Sequence, residues 1–347
     1  MTINKKQLRE VGESKIIQVI DELISQRTEK RLRYDDAFYY KMKERKSQKK
    51  DQVSLCLNSD MFVSTTDAPE QMTYRQMGYK AVIMNISDLV VKGVKPDGII
   101  ISLGLPTSLP VVDFKSIING IIDGSIRFDI DYIGGDINQT KEVVINPTVF
   151  GFQEERKIIH RTPITGGDIL VANGKFGLTG VGFDILLNKI KNDETDFQAF
   201  TNYRRSINSV LSPQIGLEGL KIAENQLAKA SIDSSDGLIR SLRELIRSNP
   251  GKGFEIRMDE SLIDGEATRY SKEFNIPIEK LIFTEGGEEF IHIFIMELDS
   301  FKRAQKLLRE KENILVQVGK VINENEIFGL KGNEKVRLQG KGYEHFS

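Results

Sequence analysis

Apolar residues recur at helical spacing near the start of the chain. In KIIQVIDELIS (15–25), Ile16, Ile17, Ile20, Leu23 and Ile24 fall on one face, which predicts a helix. LRYDDAFYY is rich in β-prone aromatics and predicts a strand. In KMKERKSQKKDQ (41–52) six basic residues and two acids replace the apolar pattern. Such a charge run suits a solvated hairpin tip, or a surface that attracts phosphate. Val53, Leu55 and Leu57 then alternate with polar residues, the period of a strand, and MFVSTTD reads as another strand ending in an acid.

From Gln76 to Gly93 the pattern turns helical, with Gly78, Val82, Ile86 and Leu89 at three- and four-residue steps. Asn85 and Asp88 lie three apart and project from one face of that helix, which Gly93 and Pro96 end. IIISLGLP predicts a buried strand. Asp113 is placed to cap a helix with Phe114, Ile117, Ile118, Ile121 and Ile122 on one stripe. IDYIGGD reads as a strand followed by a glycine turn, and VVINPTVFGF as the last strand of this half.

RTPITGGDILVANG opens the second half, and GKFGLTGVGFDILL passes from strand through glycines into a helix. Residues 214–230 predict another helix, and SIDSSDGL leads into one with Leu238, Leu242, Leu245 and Ile246 on one side. FEIRM, LIFTEGGEEFIHIFIM and ILVQVGKVI predict strands, with FKRAQKLLREKE a helix between the last two. Strands and helices alternate in both halves, which predicts α/β or α+β architecture. The boundary falls near residue 153, dividing the chain into 1–153 and 154–347, and a length of 347 residues agrees with about two domains.

Composition narrows the classes of function. Hydrophobic residues make up 39% and charged residues 29%, enough for packed cores. The 49 Lys and Arg against 50 Asp and Glu give a net charge of −1, which argues against a dedicated nucleic-acid binder. No apolar run is long enough for a membrane helix, and the charged N-terminus lacks a signal peptide's apolar stretch, so a soluble, cytoplasmic protein is expected. Cys56 is the one cysteine, which excludes an internal disulfide and any multi-cysteine zinc site, and His160, His292 and His345 have no ligand spacing.

Familiar nucleotide motifs are missing. Residues 174–182 read G-x-x-G-x-x-G-x-G, which is not the dinucleotide fingerprint, and there is no P-loop and no G-x-S-x-G. The glycines suit a tight turn opening a helix, or backbone N–H groups facing an anion. Carboxylates, by contrast, gather at the ends of elements. They are Asp35-Asp36, Thr65-Thr66-Asp67, Asp88, Gly134-Gly135-Asp136, Asp233-Ser234-Ser235-Asp236 and Gly286-Gly287-Glu288. Turn and cap chemistry explains any one of them. Acids converging in a cleft repel one another and need a cation. Hard oxygen donors without His or Cys favour Mg²⁺, commonly shared with substrate phosphates. From the residues alone this points to a Mg²⁺-nucleotide enzyme without a P-loop.

These same segments resemble a known family. DDAFYY, STTD, YKAVIMNISDLVVKGVKP, YIGGD, HRTPITGGDILVANGKFG, SIDSSDGL, EGGEEF and the terminal GYEHF are similar, in order, to the motif series of thiamine-monophosphate kinases. That family shares a superfamily with aminoimidazole-ribonucleotide synthetase, selenophosphate synthetase and a hydrogenase-maturation protein. NISDLVVKGVKP, GGD and SDGL resemble motifs of the whole superfamily, and the aromatic-acid-His-Phe end is more specific to the kinases. The resemblance implies an α/β N-terminal half whose sheet pairs with its twin in a homodimer, and an α+β C-terminal half closing over the cleft. It implies phosphorylation of thiamine monophosphate by ATP. It also implies Mg²⁺ bound by Asp35, Thr66, Asp67, Asp88, Asp136, Asp233 and Asp236. Arg161, Ser235, Thr65 and Thr66 match nucleotide-contacting positions, and Glu288 and Tyr343 match substrate-contacting ones. No separate catalytic residue is implied.

The chain departs from the family pattern in three places. After Asp67 it lacks a His-Phe pair that reaches substrate. The usual Gly-Gly-Glu-Asp-Tyr is Gly-Gly-Glu-Glu-Phe at 286–290. The usual Ala-Met-Gly is Val-Lys-Gly, and Lys92 reads as a snorkelling surface lysine or one facing phosphate. A related synthetase of the superfamily is the alternative, but it predicts a Cys or Lys nucleophile or a glycine-rich arm early in the chain, and the sequence before Asp35 holds no Cys and no such arm. A non-catalytic nucleotide-binding protein predicts loss of the acids, which are all retained.

Overall fold

The computed structural model describes residues 13–28, 31, 35–41, 52–190, 194–308, 315–332 and 334–338. The first half is built on strands β1 (Phe38–Lys41), β2 (Val53–Asn58), β3 (Phe62–Val63), β4 (Gly98–Leu105), β5 (Asp131–Gln139) and β6 (Val144–Glu154). They form one sheet in the order β1-β2-β6-β4-β5, with β3 beside β6. Only β4 and β5 run parallel, and helix α4 (Val111–Phe128) makes their crossover. Helices α1 (Glu13–Thr28), α2 (Ser64–Asp67) and α3 (Tyr74–Val91) complete this half. The second sheet is ordered β13-β12-β9-β11-β7-β10-β8. Its strands are β7 (Ile169–Ala172), β8 (Ala230–Asp233), β9 (Gly253–Arg257), β10 (His292–Met296), β11 (Val316–Ile322), β12 (Ile327–Lys331) and β13 (Glu334–Arg337). Around it lie α5 (Leu178–Asp184), α6 (Glu194–Ala199), α7 (Arg204–Leu211), α8 (Glu218–Glu224), α9 (Leu238–Ser248), α10 (Gly265–Glu273), α11 (Ile278–Phe283) and α12 (Leu298–Leu308).

Helix α3 organises the molecule. Thr73 and Gln76 form a reciprocal capping box at its start. From Gly78 onward nearly every residue is buried, polar ones included, because elements of both halves pack around it. Lys80, Asn85, Ser87 and Asp88 are therefore carried into the interior on a fixed backbone. Its tight partner is α4: a Cβ on Gly120 would lie 1.8 Å from the Arg75 carbonyl oxygen, and one on Gly78 would lie 2.1 Å from that of Ile117. Both positions need the missing side chain for the helices to touch. Gly120→Ala is expected to lower stability by about 2–3 kcal/mol, read as a fall in the urea midpoint at unchanged slope. An unchanged midpoint contradicts this packing.

Several local expectations are corrected by tertiary context. Along β2 the buried residues are Ser54, Cys56 and Asn58, while Val53 is exposed and Leu55 and Leu57 are half-buried. The polar pair goes inward because Ser54 donates to Glu155 and Asn58 donates to Asp88, 101 and 30 residues away. STTD is a helical turn, α2, not the end of a strand. The IDYIGGD glycines do not turn the chain: β5 runs through them to Gln139, with a register shift opposite Ile99 and Ile100. Pro110, not Asp113, precedes α4, and Asp113 sits in its first turn. Within 214–230 only Glu218–Glu224 is helical, and LIF of LIFTEGGEEF closes α11 rather than a strand. Residues 42–51 of the basic run and the GYEHF end lie outside the described residues. Among the described residues no helix is long and apolar enough to cross a membrane.

Candidate functional site

Three of the acids meet where the two sheets face α3. Asp36 precedes β1, Asp88 comes from α3 and Asp233 ends β8, and a carboxylate oxygen of each lies within 4.8 Å of the others. All three are buried. The Asn58 amide donates to Asp88 at 2.6 Å, and the Ser87 hydroxyl donates to Asp233 at 3.0 Å. Ser235 also donates to Asp233, at 3.4 Å. Burial and the charges of Asp233, Asp60 and Asp36 push the Asp88 carboxyl well above its ordinary range. Burial, Asp36 and Asp60 push Asp233 up to about 8, against the Ser87 hydrogen bond. The group is thus electrostatically incomplete with protein charges alone. Hard, buried oxygens at this spacing fit a divalent cation such as Mg²⁺, whose charge would relieve their repulsion.

Cations close the other side of the group. Lys92 is fully buried, with its ammonium 2.8 Å from Asp35 Oδ1 and 2.7 Å from Asp36 Oδ2. It is not the snorkelling surface lysine of the sequence reading, because the end of α3 points inward rather than to solvent. Arg161 bonds Asp36 through Nη2 and lies 3.6 Å from Glu244. Burial favours a neutral Asp35, but Lys92 and His160 outweigh it and hold that carboxyl well below the usual carboxylate range. His292, behind the site, contacts the Ser87 hydroxyl at 3.3 Å, and burial lowers its pKa to about 3. It is a neutral packing group rather than a proton carrier at neutral pH.

The remaining candidates sit around this group rather than in it. Asp35 lies beside it on Lys92, and its other oxygen is 3.3 Å from His160 Nδ1. Asp67 turns its carboxylate back onto the Val63 N–H at 2.6 Å, and Thr66 donates to the Val63 carbonyl. Thr65 donates to Glu142. Asp136 is exposed on β5, opposite Ser102, and Asp236 is 3.1 Å from Arg240. Glu288 adopts φ 52 and reaches Lys80 at 2.6 Å, while Lys80 also donates to the Asp67 carbonyl at 2.7 Å. That lysine therefore joins the 64–67 turn to the Glu288 loop. Tyr343 lies outside the described residues. The glycine turn at 174–177 already has an occupant: the Gly177 N–H donates to buried Glu289 at 2.6 Å, so the turn reading fits and a carboxyl oxygen of the protein itself fills the place. Asp60, Asn58, Ser87 and Lys80 were not singled out from sequence, and Asp36 entered only as half of the Asp35-Asp36 pair. Asn58 ends β2 and Asp60 follows it, but only the fold brings them to Asp88.

With this geometry in hand, comparison with known proteins is informative. Residues 34–153 match the domain described as AIR synthase related protein, N-terminal domain. The thiamine-monophosphate kinase of Nitrosopumilus maritimus is 27% identical over 340 residues, covering 98% of this chain and all of that protein. That of Pyrococcus horikoshii is 26% identical over 298 residues, covering 84% and 86%. Its relatives are thiamine-monophosphate kinases. Among solved structures, AaThiL complexed with AMPPCP and TMP superposes with a TM-score of 0.79 at 23% identity, covering 98% of this chain and 99% of that one. HypE of E. coli, a hydrogenase maturation protein, gives 0.65 at 16% identity over 84% and 88%. The fold is therefore that of the aminoimidazole-ribonucleotide-synthetase superfamily, as the motif series implied.

Proposed function

We propose that this chain is an ATP-dependent kinase that phosphorylates thiamine monophosphate to thiamine diphosphate. The observation that carries it is the buried meeting of Asp36, Asp88 and Asp233 in a chain that matches thiamine-monophosphate kinases along almost its whole length. The three acids, with Asp35, Thr66, Asp67, Asp136 and Asp236 nearby in sequence motif, are the oxygen donors that would hold Mg²⁺. Bound Mg²⁺ supplies the positive charge that two polyanions need in order to approach. The protein's own part is positioning. Arg161, Ser235, Thr65 and Thr66 face the nucleotide. Glu288, held by Lys80, and Tyr343 are the residues that the motif resemblance assigns to the acceptor. An acceptor phosphate is already ionised near neutral pH, so no side chain has to remove a proton, in keeping with a neutral, buried His292. Release of ADP by the purified chain should depend on thiamine monophosphate and not on thiamine or pyrimidine phosphates. Release that is indifferent to thiamine monophosphate contradicts the proposal and favours a synthetase of the same superfamily.

Residues 1–153 form the ATP- and metal-binding, dimerising part, and residues 154–347 close over it. Two features support a homodimer. Phe38, Tyr40, Phe152 and Ile100 are exposed on the first sheet, and β1, β2 and β6 set Tyr40, Leu55 and Phe152 side by side in register. The edge strand β5 is exposed at eight of its nine residues, an unpaired ladder that soluble proteins normally cover. A second copy would bury both. Light scattering at micromolar concentration is expected to give about twice the 39.3 kDa chain mass. A mass equal to that of one chain contradicts the pairing.

A further inference from the structure

We propose that Lys92 is a tethered cation that holds the place of a metal ion, so that it limits how many divalent ions the acid group binds. The inference deepens the reading of Asp36, Asp88 and Asp233 as metal-holding residues and rests on it. Lys92 has no exposure, and its ammonium is met by three oxygens: Asp35 Oδ1 at 2.8 Å, Asp36 Oδ2 at 2.7 Å and the Ser231 carbonyl at 2.6 Å. Two carboxylate contacts and one hydrogen bond to a carbonyl thus surround the ammonium. Two carboxylates and a main-chain carbonyl are also the donor set that a hard divalent cation takes.

The backbone fixes this lysine in place. Its N–H caps α3 on the Leu89 carbonyl at 3.1 Å, and its own carbonyl accepts from Ile159 at 3.0 Å. The Ser231 side chain ties the same corner by donating to the Val91 and Ile159 carbonyls at 2.8 and 3.1 Å. The ammonium is thus delivered from a rigid helix end to a rigid strand, as a bound ion would be.

Charge counting shows the consequence. Lys92 and Arg161 together balance Asp35 and Asp36. Among the described residues no lysine or arginine forms an ion pair with Asp88 or Asp233, whose carboxyls are left to a mobile cation. One shared oxygen donor, Asp36, links the two regions. An ammonium at 2.7 Å from Asp36 Oδ2 competes with a metal ion for that oxygen, and its positive charge weakens binding of any ion beside it.

The test uses the full-length chain stripped of metal, as wild type, Lys92→Met and Lys92→Gln. Bound Mn²⁺ is counted by electron paramagnetic resonance of the free ion, with and without a non-hydrolysable ATP analogue. Both variants should bind about one more Mn²⁺ per chain than wild type, because the Asp35–Asp36 pair becomes available. Their melting temperatures should fall in chelator, where two buried acids lose their partner, and recover with Mn²⁺ more than wild type gains. Equal Mn²⁺ counts in all three proteins overturn the role of Lys92 while leaving the metal site standing. No binding in any of them overturns both. Variants that fail to fold in chelator and also in Mn²⁺ overturn it too, since the ion should replace the ammonium.

Discussion

Asp233→Asn should abolish most turnover and yet make the metal-free protein harder to melt. The substitution keeps the shape of the side chain and still accepts the Ser87 hydrogen bond, but it removes one of three buried, ionisable carboxyls that crowd within 4.8 Å. Loss of a charge that anchors the transferring group is expected to lower kcat by at least about 100-fold at saturating Mg²⁺. Stability moves the other way. The folded Asp233 carboxyl is raised to about 8, above its unfolded value, so the folded state binds the proton more tightly. Its contribution to stability is complete below about pH 4 and is lost as pH rises toward about 8. Asparagine has no such dependence. The variant should therefore gain nothing over wild type near pH 4, and progressively more toward pH 8, by several degrees of melting temperature in EDTA. Saturating Mg²⁺ stabilises wild type by mass action and should shrink or reverse the gap. Asp88→Asn should show the same opposition, because burial and the same neighbours raise its carboxyl. Melting curves from pH 4 to 8, with and without Mg²⁺, decide the matter. A variant less stable than wild type at pH 8 in EDTA, or one with near wild-type turnover, contradicts the assignment.

Asp88 and Asp233 were legible in the sequence because each is fixed by local pattern. Asp88 rides a helix whose period is plain from Gly78 to Leu89, three residues after Asn85, and Asp233 ends an apolar run before a helix start. The adjacent Asp35 and Asp36 show what local pattern leaves open. Successive residues point in different directions, so one acid of the pair turns to Asp88 and Asp233 and the other to His160, with Lys92 touching both. The motif resemblance points to Asp35, whereas Asp36 is the one that meets Asp88 and Asp233. No spacing rule separates them. Only the segment's approach to Arg161 and Lys92, far along the chain, decides which way each faces.

The same limit explains the strand faces. Alternation along β2 was visible, but the direction was not, because a sheet with one uncovered apolar face has hydrophobic residues on both sides. Ser54 and Asn58 go inward only because remote acids receive their hydrogen bonds. The burial of Lys92, which reads from sequence as a surface lysine or one facing phosphate, has a related cause. A lysine at a helix end near Gly93 usually reaches solvent, and here that end abuts β8 and the segment before β1 instead.

Lys80→Met should cost both stability and affinity for the acceptor. Its ammonium is fully buried, 5.9 Å from the Phe62 ring centroid, and bridges the Asp67 carbonyl at 2.7 Å and Glu288 at 2.6 Å. Glu288 itself is held in a left-handed conformation, with its N–H on the Ser235 carbonyl, a backbone state that costs about 1–3 kcal/mol and persists only where neighbours enforce it. Methionine keeps the length and apolar stem of the lysine and removes the charge. Glu288 then loses this ion pair, and the Asp67 carbonyl loses a donor. Breaking such a pair from one side costs about 3 kcal/mol. Because the turn at 64–67 and the loop at 286–290 lose their common anchor, the acceptor KM should rise about tenfold or more, with a smaller change for ATP. Packing alone predicts a different pattern, so a double-mutant cycle with Glu288→Met is decisive. If the pair acts as a unit, removing the second partner adds little, and the double variant should be more stable than the sum of the singles by about 1–3 kcal/mol. Additive losses, with both KM values moving together, contradict a bridge between the metal-side turn and the acceptor loop.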